Sequence, residues 1–180
     1  MSVVEQRIPT GTWRADVLHS SVRFEVEHLG VSTFGAGFTE FEAGLVAGPD
    51  GTTLWGAVQV ESLDIRDDAL RPHVMSADFL DVARFPKLAF QSGSLSQHDG
   101  ELVVQGELTI RGQTAAVEAR GRISEPIVDP FGNERLALSL DTVIDRAEFG
   151  IGWQMALPDG GPALAMQVKL AVSLEFVKET

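Results

Sequence analysis

From Leu164 to Val177 the chain alternates without a break. Leu164, Met166, Val168, Leu170, Val172, Leu174 and Phe176 are apolar, and Ala165, Gln167, Lys169, Ala171, Ser173, Glu175 and Val177 stand between them. Successive side chains of an extended strand point to opposite faces, so this period of two gives one uniformly apolar face and one mixed face. The same reading holds for Val22, Phe24 and Val26 against Arg23, Glu25 and Glu27. It also holds for Leu102, Val104, Gly106, Leu108 and Ile110 against Val103, Gln105, Glu107 and Thr109. Weaker alternation runs through about residues 34–47, 53–63, 87–96, 114–124 and 135–145.

The punctuation between these runs has turn chemistry. Proline presets φ and Asp-Gly tolerates positive φ, so Gly48-Pro49-Asp50-Gly51 reads as a turn. His98-Asp99-Gly100 and Arg111-Gly112-Gln113 are hairpin-length gaps, while Asp129–Asn133 and Pro158–Pro162 are longer loops. About eight antiparallel strands joined this way predict a sandwich or a closed barrel. An apolar strand as long and regular as the last one would be an aggregation hazard at an open edge. Closure removes the edge, so the expected fold is a single all-β domain, an antiparallel eight-stranded β-barrel.

One segment departs from the pattern. Asp67 to Ala83 has Ala69, Leu70, Val74 and Met75 at helical spacing with acids at its start, which predicts a short helix over about 67–78 covering part of the barrel. Pro72 falls near its beginning, where proline is tolerated. The expected domain spans 12–178, preceded by a tail over 1–11.

At 180 residues the chain is long enough to bury a core without disulfide or metal staples. It has no cysteine, which excludes thiol nucleophiles, thiolate zinc sites and iron–sulfur clusters. The net charge of −12 disfavours phosphate backbones and anionic headgroups, so no nucleic-acid partner is expected. No run approaches the ~20 apolar residues that span a bilayer as a helix. The start of the chain, with Glu5 early and no apolar core, does not read as a signal peptide, which predicts a cytoplasmic protein. There is no nucleophile elbow, phosphate loop or dinucleotide fingerprint, and no histidine–carboxylate spacing of a metal motif, so neither cofactor nor metal is expected.

Several blocks, taken in order, resemble the YceI-like, polyisoprenoid-binding family. They are His19-Ser20-Ser21-Val22-Arg23-Phe24-Glu25-Val26-Glu27-His28-Leu29-Gly30, then Gly37-Phe38, Glu61-Ser62-Leu63-Asp64, and Met75-Ser76-Ala77-Asp78-Phe79-Leu80-Asp81. Phe85-Pro86 with Phe90, Gly106-Glu107-Leu108-Thr109-Ile110-Arg111-Gly112-Gln113-Thr114, and Asp145-Arg146-Ala147-Glu148-Phe149-Gly150 complete the series. The resemblance covers about residues 12–177. It implies a lipocalin-like barrel with an apolar tunnel that holds a long-chain isoprenoid or fatty-acyl ligand for storage or transport. Many members carry a secretion signal, which is not seen here.

On that resemblance the expected lining is Phe24, Val26, Phe38, Phe41, Val58, Val60, Phe79, Phe85, Phe90, Leu138, Leu140, Phe149, Trp153, Met166 and Val168, with His28 and Arg146 toward a polar headgroup. Each apolar residue would serve equally in a filled core. Ten phenylalanines and no tyrosine suit a ligand that offers no hydrogen bonds. Two readings of Arg146 stand: a bidentate ion pair with Asp145, or a contact to an anionic head. Arg66, Arg71 and His73 form a second candidate patch, Trp13 a plug at one barrel end, and Trp153 part of the mouth. The outer face of the last strand, with Ala171, Ser173 and Val177, would serve a homodimer contact. The readings that stand beside a carrier are an enzyme acting on an isoprenoid-like substrate in the same pocket, or a ligand-free structural or stress protein with a filled barrel.

Overall fold

The computed structural model describes residues 8–180. Twelve strands follow in chain order: β1 (Gly11–Ala15), β2 (Ser21–His28), β3 (Ser32–Phe38), β4 (Phe41–Gly48), β5 (Gly51–Gln59), β6 (Leu63–Asp64), β7 (Lys87–His98), β8 (Glu101–Ile110), β9 (Gln113–Ile123), β10 (Ile127–Val128), β11 (Glu134–Asp145) and β12 (Leu164–Lys178). Eight of them close a ring in the order β1, β4, β5, β7, β8, β9, β11, β12, with every described pairing antiparallel. This is the expected barrel. The edge argument holds in detail, because β12 has β11 along one side and β1 and β2 in turn along the other.

The run over 34–47 is two strands rather than one. Thr39 and Glu40 bend the chain between β3 and β4, held by Thr39 N–H on Ser62 O at 3.1 Å and by Glu40 N–H on Ser62 Oγ at 2.9 Å. The bend lets β2, β3 and β6 extend the wall above β1 and β4. The short β1 was not legible as a strand, yet it supplies the closing pairings to β4 and β12. Residues 1–7 of the expected tail lie outside the described residues, whereas Ile8 packs on the core and Pro9 O accepts from Trp13 Nε1 at 3.1 Å.

The helix is shorter than its pattern: α1 covers Leu70–Met75. Asp67 Oδ1 accepts from Ala69 N–H and Leu70 N–H at 2.8 and 3.2 Å, which starts the turn. Ser76 turns to extended backbone and ends it, its hydroxyl bonded to His73 O at 2.7 Å.

The barrel is solid at the β1 end. Trp13, Leu45, Leu102, Val104, Leu138 and Phe176 are fully buried there, with Leu54, Leu136, Leu140 and Leu174 packed among them. Trp13 is the expected plug. Gly121 shows how tight the wall is, since a Cβ added there would overlap Ser139 O of the neighbouring strand.

A polar cluster fastens the outside of this end. Arg135 donates from Nε to Asp129 Oδ2 at 2.7 Å, and from Nη1 to Asp16 Oδ2 at 3.0 Å and Glu175 Oε1 at 2.7 Å. Asp16, His19 and Glu175 place ligand atoms within 4.8 Å of one another, the spacing of a metal site, but the Arg135 guanidinium already bridges the two carboxylates. Arg135, with the Asn133 amides, holds the Asp129 carboxyl below the usual carboxylate range; His19, then Arg135, lowers that of Asp16. Groups with depressed values contribute stability above their unfolded pKa of about 4 and lose it as pH falls through the folded value. Thermal melts between pH 7 and 3 should therefore show the wild type losing stability below about pH 4. Arg135→Ala should be less stable at neutral pH and lose less on acidification. Parallel acid limbs for the two proteins would show that the cluster does not contribute.

Candidate functional site

Above the plug the barrel is hollow. A cavity of about 600 Å³ is walled by Phe24, Val26, Phe34 and Phe38 of β2 and β3, by Leu88, Ile110 and Ile144 of β7, β8 and β11, and by Val168 and Leu170 of β12. Val74, Phe79 and Leu80 close it from the α1 side, and Phe149, Ile151 and Trp153 from the turn after β11. A smaller chamber of about 170 Å³ continues below, bordered by Phe41, Val58, Phe90, Leu108, Val117 and Leu140. Phe38, Leu88, Ile110 and Leu170 border both, so they form the neck between the two. The lower chamber rests on Ala43, Leu54, Ala119 and Leu174 of the solid core. At the β1 end the apolar space thus meets close-packed side chains.

The alternation of each strand supplies this lining directly. Phe24 and Val26 on β2, Phe34 and Phe38 on β3, Leu88 and Phe90 on β7, and Leu108 and Ile110 on β8 are same-face neighbours. Of the expected apolar residues, Phe24, Val26, Phe38, Phe79, Phe149, Trp153 and Val168 border the main cavity, and Phe38, Phe41, Val58, Phe90 and Leu140 the lower chamber. The structure does not bring Val60, Phe85, Leu138 and Met166 to either. Val60 is buried in the 60–62 turn, its N–H on Pro86 O at 2.9 Å. Phe85 lies over Gly112 in the β8–β9 turn, where an added Cβ would come within 2.6 Å of its ring. Leu138 belongs to the plug. Met166 falls in an irregularity of β12, where the register to β2 passes from Leu164↔His28 to Val168↔Val26.

Sequence reasoning missed Phe34, Leu88, Ile110, Ile144 and Leu170, all on the apolar face of strands it had identified. Alternation marks them as inward. It does not say at what height in the barrel an inward residue meets empty space instead of the plug.

Polar groups gather at the mouth: His28, Ser32 and Thr33 at the β2–β3 end, Asp67 just before α1 and His73 on it. His73 stands edge-on to Phe79 and Trp153, with ring centroids 5.0 and 4.9 Å away, and Phe79 and Trp153 are 5.3 Å apart. These three rings join α1 to the segment after β11 over the cavity. His73 Nε2 and Asp78 Oδ2 are 3.1 Å apart, which sets the imidazole within the cluster. Arg71 donates to the carbonyls of Leu63 and Glu61, so it fastens β6 rather than facing the cavity.

Arg146 forms no bidentate pair with Asp145, and that expectation is corrected. Asp145 Oδ1 caps Ala147 N–H at 2.9 Å. Arg146, 3% exposed, donates instead to Ala165 O at 2.9 Å from Nε, to Ile151 O and Trp153 O at 2.9 and 2.8 Å from Nη1, and to Leu164 O at 3.3 Å from Nη2. Burial pulls its pKa down, the nearby Asp145 charge opposing this. Its fork fits diverging carbonyls that one ammonium could not reach together. The result is that Ile151 and Trp153 are held against the cavity and the irregular start of β12 is fixed.

Comparison with known proteins agrees with this architecture. The model of the YceI-like domain matches residues 13–176. The YceI proteins of Salmonella arizonae and Salmonella enteritidis are 29% identical over 164 residues, covering 89% of this chain and 83% of theirs. Among solved structures, Burkholderia cenocepacia BcnA superimposes with a TM-score of 0.75 at 19% identity, over 89% of this chain and 98% of that one. A polyisoprenoid-binding domain from Saccharophagus degradans, implicated in plant cell wall breakdown, gives 0.70 at 12% identity, over 93% and 98%. At such identities these two structures establish the shared fold.

Proposed function

This chain belongs to the YceI-like domain family, and from that premise we propose that it binds a long-chain isoprenoid or similar amphiphilic lipid, shielding the tail in the apolar cavity for storage or transfer. The observation that carries the reading is the apolar volume above a close-packed plug. Protein interiors hold few voids larger than a water molecule, and unfilled space forfeits dispersion contacts on every wall. A barrel serving only as a filled scaffold would gain by closing this space with larger side chains. A lipid tail recovers the same contacts, at about 25 cal/mol per Å² of apolar area removed from water.

The placement of polar groups favours binding over catalysis. The ionisable side chains bordering the cavity lie at its mouth, and the one that is buried, Arg146, is committed to backbone carbonyls. A tail-down pose leaves the ligand's polar end beside His28, Ser32, Thr33 and His73. The fold likeness to a polyisoprenoid-binding domain from Saccharophagus degradans accords with this reading.

The test is mass spectrometry of an organic extract from natively purified protein, with an unrelated barrel as control. A near-stoichiometric isoprenoid or fatty-acyl species is expected, chemically unchanged after release. An empty extract, together with failure to take up added polyprenyl lipids, would overturn the proposal; release of a modified lipid would favour an enzyme in the same pocket.

A further inference from the structure

The two segments whose inner residues form the cavity mouth carry exposed apolar side chains at their tips. In the β2–β3 hairpin, Leu29 is 38% and Val31 82% exposed, while His28, Ser32 and Thr33 border the cavity. In the loop before β12, Met155 is 61% exposed, while Trp153 and Ala163 border the cavity. The segments are joined through backbone: Leu29 N–H donates to Ala163 O at 2.8 Å, and Ala163 N–H to Met155 O at 2.9 Å. The three side chains therefore belong to one rim.

The backbone of this hairpin adds a second observation. Three tight turns of the barrel place a non-glycine residue at positive φ followed by glycine: Leu29-Gly30 at 57° and 69°, Asp99-Gly100 at 50° and 82°, Arg111-Gly112 at 50° and 69°. Left-handed backbone is unfavourable for an L-residue, because Cβ crowds the following carbonyl, and asparagine or aspartate tolerates it better through local hydrogen bonding. At the cavity mouth the chain instead accepts a partly exposed leucine in that conformation. Neither turn solubility nor turn geometry asks for it.

We infer that the rim of Leu29, Val31 and Met155 docks the cavity mouth onto the surface of an electrically neutral lipid bilayer, so that a lipid tail passes between membrane and barrel without crossing water. The inference rests on the proposed function. Charge selects the kind of surface. No charged residue occurs over 29–33 or 154–158; Glu27 and Asp159 flank these segments along the chain, Asp67 borders the same mouth, and the net charge is −12. Acids at this position repel anionic headgroups and are tolerated by zwitterionic ones. Separate apolar points suit a soft interface that closes around each of them; a stable protein contact needs about 800 Å² of matched surface per partner.

Flotation of the full chain with phosphatidylcholine vesicles tests this. The protein should float with them, less so as phosphatidylglycerol is added at low salt, with salt restoring the bound fraction. The double substitution V31D/M155D removes two exposed side chains and spares the cavity wall, so uptake of a dansyl-labelled farnesyl lipid from detergent micelles should match wild type. Vesicle binding, and the rate of transfer of that lipid between vesicles, should fall at least about tenfold. Equal flotation of variant and wild type would overturn docking. So would wild-type uptake from micelles with a transfer rate indifferent to vesicle concentration, and that result leaves the proposed function standing. Loss of a dimer in V31D/M155D with vesicle binding unchanged would assign the rim to a second copy. Failure of wild type to take the lipid from micelles would count against the cavity function, and flotation alone would then decide docking.

Discussion

Arg146→Met should lower the melting temperature by roughly 6–20 °C and abolish stable lipid retention. The substitution keeps much of the side-chain volume and removes every donor. Carbonyls of Ile151, Trp153 and Ala165 then lose this partner, whereas Leu164 O keeps its bond from Gln154 Nε2 at 2.6 Å. A buried acceptor left without a partner costs about 1–3 kcal/mol, and relief from burying a charge returns part of the total. A net loss of about 3–5 kcal/mol is expected, and in a chain of this length each kcal/mol is worth about 2–4 °C. The same segment holds Phe149, Ile151 and Trp153 against the cavity, so the wall should loosen with the fold. Arg146→Lys should recover little, because one ammonium cannot reach carbonyls on both sides of the fork. Scanning calorimetry, with dansyl-farnesyl retention measured well below the melting point, checks both effects. An unchanged melting temperature would show that the guanidinium bonds carry no weight.

Leu170→Trp should separate long ligands from short ones. Leu170 borders both chambers, opposite Phe38, Leu88 and Ile110. An indole there would block the neck while leaving much of the upper cavity open. A tail that reaches the lower chamber would lose the burial of several methylenes, at about 0.8 kcal/mol each. That amounts to roughly a 100-fold rise in Kd for long polyprenyl lipids. A ligand short enough to stay above the neck should bind with nearly unchanged affinity, and Leu170→Ala should spare both. Competition titrations across a series of chain lengths measure the contrast. A uniform loss at all lengths would indicate that the neck is not a depth limit.

Much of the architecture was legible because a barrel strand obeys a local rule. Alternation in β2, β8 and β12 gave the inward faces, and the Asp-Gly and Arg-Gly turns gave the hairpins. The Leu29-Gly30 turn hides the same geometry behind an apolar residue that propensity would not choose. β1 is only five residues long, with Arg14 between Trp13 and Ala15, and nothing in so short a run announces that it closes the ring. The helix reads longer in the sequence, where acids precede Ala69, Leu70, Val74 and Met75 at helical spacing, whereas local bonds at Asp67 and Ser76 limit the turn to Leu70–Met75.

Which side chains face inward follows from parity along each strand and needs no knowledge of neighbours. What an inward residue meets depends on how the strands come together. Leu138 and Leu140 share one face of β11, yet Leu138 lies wholly in the plug while Leu140 also borders the lower chamber. Arg146 likewise reads as an ion pair beside Asp145 until the fold brings four carbonyls from two segments around its guanidinium. Cavity depth and the partners of a buried charge arise from contacts between residues far apart in the chain, and no local period encodes them.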